Sequence, residues 1–166
     1  MRRDELLDAA ESVLCDQGSD SLTLAAVADR AGVSKGGLLY HFNSKEALIK
    51  GMVERLIHDF DDLMAAQPYD TYTKRYVAAT MAAIRSGRLR RWAVVTGASG
   101  NMFLLGPLRE AMTRWHKDGL ADELDPVAAQ IVRLACEGLW DVASHDPGLY
   151  TEADLTAIEE RLLIQL

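Results

Sequence analysis

The sequence predicts an all-α protein of about nine helices, on three grounds. Apolar residues return every three or four positions in one segment after another. Short breaks rich in Gly, Pro, Ser and Asp, the residues that cap and stop helices, separate those segments. No two segments alternate like a strand pair, and there is no repeat or low-complexity tract. With 166 residues, 49% hydrophobic and 26% charged, the chain can build a proper core. It is short for two independent domains.

The first helix spans about Asp4 to Asp16, with Leu6, Ala10, Val13 and Leu14 on one face and Gly18 as its stop. Ser19-Asp20-Ser21 is a polar linker. Thr23 caps a helix from Leu24 to Ala31, which Gly32 ends with a left-handed backbone. Ser34 caps a short helix, Lys35 to His41. Ser44 caps a long fourth one, Lys45 to about Ala66, with Glu46 in its first turn and an apolar stripe through Leu48, Met52, Leu56, Phe60 and Leu63. Gln67-Pro68 ends it.

Tyr72, Tyr76, Met81 and Ile84 mark a fifth helix, closed by Ser86-Gly87. Leu89, Trp92, Ala93 and Val95 mark a sixth, ending near Gly97 and Gly100. Pro107 suits the first turn of the seventh, whose buried face is Leu108, Met112 and Trp115 and whose end is marked by Gly119. Asp125-Pro126 opens the eighth, which runs to about Ser144 with Val127, Ile131, Leu134, Ala135, Leu139 and Val142 inward. After the break at His145-Asp146-Pro147-Gly148, Thr151 caps the last helix, with Leu155, Ile158 and Leu162 as a narrow stripe.

Several function classes fall away. No apolar run is long enough to span a bilayer. The opening MRRDELLDAAESVL is broken by Asp4, Glu5, Asp8 and Glu11, so it reads as an amphipathic helix and not as a signal peptide. Cys15 and Cys136 lack a CxxC context, which fits a reducing cytoplasm. HExxH, GxSxG, GxxxxGK[ST] and GxGxxG are absent, as are paired ExxH motifs; Glu54 and His58 stand four apart. His41, His58, His116 and His145 show no ligand spacing. Neither an enzyme nor a metal or cofactor site is expected.

The legible chemistry lies in Thr23 to Glu46. A helix, a Gly-containing turn and a second helix form the pattern that lays a recognition helix in the DNA major groove. Ala25, Ala26, Val27, Ala28 and Ala31 keep the first helix slim, and Val33 and Leu38 supply the pair's buried contacts. Gly36 and Gly37 cost about 1 kcal/mol each against alanine in a helix interior, an expense that close approach to DNA explains. Lys35 can reach a phosphate or the acceptor edge of guanine, Tyr40 and His41 can donate to phosphate oxygens, and Lys45 adds a point charge. The plain alternative is a surface turn with solvated lysines. Net charge is −7, and the first fifty residues hold six basic against eight acidic side chains. Charge therefore permits DNA binding without demanding it.

The string LTLAAVADRAGVSKGGLLYHFNSKEAL, Leu22 to Leu48, resembles the DNA-binding domain of the TetR family of transcriptional regulators. The HFxSKE ending, His41 to Glu46, is its most specific part. The resemblance covers Leu6 to Leu48 well; beyond that it rests on helix pattern and on pieces such as PLRE from Pro107 and ACEGLW from Ala135 to Trp140. It implies a three-helix helix-turn-helix domain over residues 1–46, motif 23–42, and an effector-binding and dimerisation domain over 47–166. It further implies backbone contacts to DNA from Thr23, Ser34, His41 and Lys45, with Lys35, Gly36 and Gly37 facing the groove. Many members carry Tyr where Leu39 stands and Thr where Gly37 stands. Tyr40 is placed to take over a phosphate contact, which leaves Leu39 an apolar one, for example to a thymine methyl.

In the resembling family the last two helices form a four-helix dimer bundle, here Pro126–Ser144 and Glu152–Gln165, with Ile131, Leu139, Leu155, Ile158 and Leu162 as interface residues. The alternative is a last helix packed on its own subunit. Tyr76, Met81, Trp92, Phe103, Met112, Trp115 and Trp140, with Tyr72 and Met102 nearby in sequence, are candidates for an effector pocket, or simply core. Glu137 or Asp141 could orient a cationic ligand, or form a surface salt bridge. The expected function is a cytoplasmic homodimeric repressor, released from a (pseudo)palindromic operator by a small-molecule effector, with the long fourth helix as lever. The alternatives are an activator, an effector-independent regulator, or a helical ligand-binding protein or enzyme that does not use its helix-turn-helix.

Overall fold

The computed structural model describes residues 3–98, 102–122, 125–164 and 166, and the side chains at positions 90, 102 and 103 lie outside that description. The chain forms α1 (Arg3–Gln17), α2 (Leu24–Arg30), α3 (Lys35–His41), α4 (Lys45–Ala65), α5 (Tyr72–Arg85), α6 (Leu89–Ala98), α7 (Gly106–Leu120), α8 (Pro126–His145) and α9 (Glu152–Ile164). There is no strand among the described residues, and no described helix is long and apolar enough to cross a membrane. The linker at Ser19–Ser21 is a 3-10 turn, and a second such turn occupies Met102–Leu105. Gly119 lies within α7 and does not follow its end. Gly100 is outside the described residues.

Two compact units emerge, residues 1–56 with 91–109, and residues 57–90 with 110–166. In the first, α1 buries Leu6, Leu7, Ala9, Ala10, Val13 and Leu14, and Leu22, Val27, Leu38, Phe42, Leu48 and Met52 are among the residues that extend the core. Arg55 reaches from α4 to Asp8 at 2.6 Å and also bonds Glu11. Arg91 binds the same Glu11 through two N–H groups, at 2.7 and 2.9 Å. One carboxylate on α1 thus serves guanidiniums from α4 and α6, a charge-assisted arrangement well suited to fixing helix register.

In the second unit α5 packs against α8 and α9. Met81, Leu139 and Leu155 form a buried cluster, with Ile84, Tyr150, Ile158 and Leu162 packed around it. Arg85 fastens α9 through Glu152 and Glu159, each at 2.7 Å. Phe60 stands edge-on to Tyr76, Trp115 and Trp140, with centroids 5.4, 5.0 and 4.8 Å away. Such edge-to-face contacts suit the ring quadrupoles.

In the first unit, α4 approaches the end of α3 where Gly51 has no side chain. A Cβ there would stand 2.7 Å from Cε1 of the buried Phe42 ring and 2.9 Å from Arg3 Nη2. Gly51→Ala gains about 1 kcal/mol of helix propensity but must displace a packed ring. A net loss of about 1–2 kcal/mol is expected in denaturant unfolding. Unchanged or raised stability would show that Phe42 has room to yield.

Candidate functional site

The N-terminal motif is built by local chemistry. The Ala26 N–H donates to Thr23 Oγ1 at 3.1 Å, the Gly37 N–H to Ser34 Oγ at 3.1 Å and the Ala47 N–H to Ser44 Oγ at 3.0 Å, so each helix start is capped. Capping uses the oxygen of each hydroxyl as acceptor, which leaves the O–H of exposed Thr23 and Ser34 free to donate outward. Gly32 adopts φ 68°, and the Val33 N–H donates to the Ala28 carbonyl at 2.9 Å. That six-to-one bond closes α2 as a Schellman turn. Hydrogen bonds from its own backbone N–H and from Ser44 hold the Glu46 carboxyl below its ordinary pKa, so it stays charged beside the start of α4.

α3 keeps almost nothing for its own protein. Leu38 is its one buried residue, and Phe42, just past its end, is the second anchor. Lys35, Gly36, Gly37, Leu39, Tyr40 and His41 are all exposed, Tyr40 to 87%. Tyr40 meets the His41 ring edge-on at 5.2 Å. Lys45 is half-buried at the start of α4. A Cβ at Gly36 would find nothing nearer than Ser34 Oγ at 3.9 Å, and one at Gly37 nothing nearer than the same atom at 3.4 Å. Neither glycine has a positive φ. The fold therefore has no steric or conformational need of glycine at these two positions.

The second unit contains a cleft. Tyr72, Thr73, Tyr76, Trp115, His116 and Arg133 are among the residues around its inner part, which at about 10 Å³ has room for about one water. An outer part of about 350 Å³ is bounded by Thr113, His116, Gln130, Arg133, Leu134 and Glu137. Asp122 sets the α5 rim by accepting from the N–H groups of Tyr72 and Thr73 at 2.9 and 2.6 Å and from the Thr73 hydroxyl at 2.7 Å. Burial, with Asp118 and Asp61 adding, raises the Tyr72 phenol; burial, with Glu137 and Cys136 adding, raises that of Tyr76. Both keep their protons. Burial likewise pushes the Cys136 thiol up to about 12, so it is no thiolate.

Of the effector candidates, the structure brings Tyr76, Trp115 and Trp140 together around Phe60, and Tyr76 and Trp115 line the cleft. Met81 belongs to the cluster with Leu139 and Leu155, Trp92 is in the other unit, and Met112, expected to be buried, is exposed. The Phe103 and Met102 side chains lie outside the described residues. Of the interface candidates, Leu139 and Leu155 are buried against Met81 in their own unit, with Ile158 and Leu162 packed beside them. Leu139 and Leu155 are thus covered within their own unit, while Ile158 and Leu162 are only half-buried there. Ile131 is exposed. Residue patterning missed Arg133, His116 and Gln130 as cleft residues; a guanidinium one turn after buried Ala129 was the available signal.

Residues 6–52 match the family model described as bacterial regulatory proteins, tetR family, and residues 70–166 match the tetracyclin repressor-like C-terminal domain. The chain belongs to the TetR family. Among curated relatives, the HTH-type transcriptional regulator BetI of Cronobacter sakazakii is 28% identical over 166 residues, covering 94% of this chain and 81% of the relative. The HTH-type transcriptional repressor KstR2 of Mycolicibacterium smegmatis is 44% identical over 61 residues, covering 37% of this chain; the chain spans only 28% of that relative. A transcriptional regulator from Rhodococcus sp. Rha1 shares the TetR fold at TM-score 0.74 and 21% identity, with 100% and 96% of the two chains covered. The SmeT–triclosan complex shares it at 0.69 and 21%, with 98% and 90% covered.

The free space at Gly36 and Gly37 yields an opposed pair of outcomes. Gly36→Ala and Gly37→Ala are each expected to hold or raise stability, by up to about 1 kcal/mol. Each is expected to weaken DNA binding roughly tenfold or more, about 1.4 kcal/mol. Thermal unfolding and a mobility-shift titration on the same samples measure both. Undiminished DNA affinity in both variants would remove the case for close approach.

Proposed function

We propose that this TetR-family protein is a homodimeric transcriptional repressor that a small-molecule effector releases from a (pseudo)palindromic operator. The observation that carries the reading is α3, a helix whose exposed residues are of no use to its own fold. It holds polar donors at Lys35, Tyr40 and His41 around two glycines that the chain does not need. Thr23, Ser34 and Lys45 supply phosphate contacts around it, and Leu39 an apolar contact to a base.

One such helix reads only a few base pairs, so specificity calls for two copies about one helical turn of DNA apart, ~34–36 Å. Support for a second copy comes from α8, where Val127, Ile131 and Leu134 are 62%, 61% and 66% exposed at successive helical steps. An apolar stripe of that kind suits an interface between copies. Response to a ligand follows from linkage: an effector frees DNA only by binding better to the form that does not fit the operator. The protein works in the cytoplasm, as a binding protein and not an enzyme, with no resident cofactor.

Binding to DNA upstream of its own gene should fall steeply with salt, and Lys35→Ala or Lys45→Ala should each reduce the slope of log K against log salt by about 1. No shift on any genomic fragment would sink the reading. Ile131→Glu combined with Leu134→Glu should turn a sedimenting dimer into a monomer and remove tight operator binding. A double variant that remains dimeric would place the interface elsewhere.

A further inference from the structure

The cleft holds a half-buried cation, Arg133, whose neighbours Tyr76, Met112 and Glu137 leave one of its N–H groups without a partner. The Arg133 side chain is 15% exposed. Its Nη2 donates to the Met112 carbonyl at 3.3 Å and stands 2.6 Å from Glu137 Oε1. The approach to Glu137 is close but badly directed, since that buried oxygen accepts no well-aimed hydrogen bond. Arg133 Nε is buried without a partner, and so is the hydroxyl of Tyr72. Tyr72 and Arg133 both line the inner part of the cleft, and Arg133 also borders the outer part. Buried polar groups in folded proteins are almost always paired, and two idle donors around one hollow call for an acceptor.

We propose that the cleft binds a small organic carboxylate. One carboxylate oxygen accepts from Arg133 Nε and the other from Nη2, the side-on fork geometry that guanidiniums offer to carboxylates. The Tyr72 hydroxyl donates a third bond. The organic body fills the outer hollow of about 350 Å³, at the small end of ligand sites. Glu137, 30% exposed, is the internal occupant that the ligand displaces; it can turn toward solvent and keep its charge hydrated. The same geometry disfavours a cation. The free donors point to an acceptor, and Glu137, the group that would hold a positive charge, already faces Arg133.

The site rests on the regulator reading only for what binding does to DNA. Full-length protein is titrated with benzoate and phenylacetate, with the matched amides, and with benzyltrimethylammonium, by calorimetry and by fluorescence of the tryptophan cluster. Saturable binding of a carboxylate is expected, with the amide about tenfold weaker. Arg133→Gln should abolish it and Tyr72→Phe should weaken it several-fold. Glu137→Gln is the sign test, and it serves even where the Arg133 variant misfolds. Removing the competing carboxylate should tighten binding of a carboxylate ligand, whereas it would weaken binding of a cation. Tighter binding of the ammonium, looser carboxylate binding in Glu137→Gln, or no carboxylate binding at millimolar concentration overturns the proposal. Operator release is followed in parallel. Carboxylate binding without release upholds the site and contradicts the ligand-response reading; release by the ammonium alone does the reverse.

Discussion

α3, the helix proposed to read DNA, is too short and too glycine-rich to hold itself, and much of the first unit is arranged around that constraint. Seven residues with two glycines would not persist as an isolated helix in water, where even good sequences need roughly 12–15 residues. Nor can α3 be secured by burying a broad face, because that face is needed outside. It is held instead by Leu38 from within, Ser34 at its start, the Schellman turn behind it and Phe42 beyond its end. The missing side chain at Gly51 lets the Phe42 ring come close to α4, and Arg3 covers the ring from above at 5.1 Å. The Glu11 hub, with Arg55 and Arg91, then fixes the helices that carry this seat.

That economy explains which parts of the structure could be read in the sequence. Caps and stops are short-range chemistry: Thr23, Ser34, Ser44, Asp125 and Thr151 accept from N–H groups two or three residues on, and Gly32 ends α2 where its backbone freedom permits. Each can be inferred from a few neighbouring letters. Gly119 reads as another stop but lies inside α7, beside Tyr72 and Thr73 at ordinary van der Waals distance. The Asp122 cap on α5 is not legible in neighbouring letters, since it acts across about fifty residues of chain.

An amphipathic stripe says that one face is buried, but not against what. Leu139 and Leu155 have the spacing of an interface and turn out to face Met81, whereas Val127, Ile131 and Leu134 on the same α8 remain uncovered. The aromatic residues illustrate the point at a larger scale. Their abundance was evident, yet only the fold could separate Tyr76, Trp115 and Trp140 from Trp92, and none of them decides the chemistry of the cleft. That is decided by Arg133, a charged residue hidden in a helix chosen mainly for its apolar face.

The acidic balance of the chain bears on how α3 can work. A protein of net charge −7 gains little from the bulk attraction that holds many DNA-binding proteins to any sequence. Repulsion at long range weakens binding to every site alike, but contacts made inside the groove and at nearby phosphates are short-range and survive it. Under the proposed function, the affinity that remains comes disproportionately from a few side chains at fixed positions, with Lys35, Tyr40, His41 and Lys45 as the proposed ones. Since selection among genomic sites depends on the ratio of specific to non-specific binding, an acidic body raises that ratio while lowering both terms. The arrangement works only if α3 is held rigidly, because a loosely seated helix would lose the specific term as well. The close packing of Phe42 on Gly51 supplies that rigidity at the end of α3.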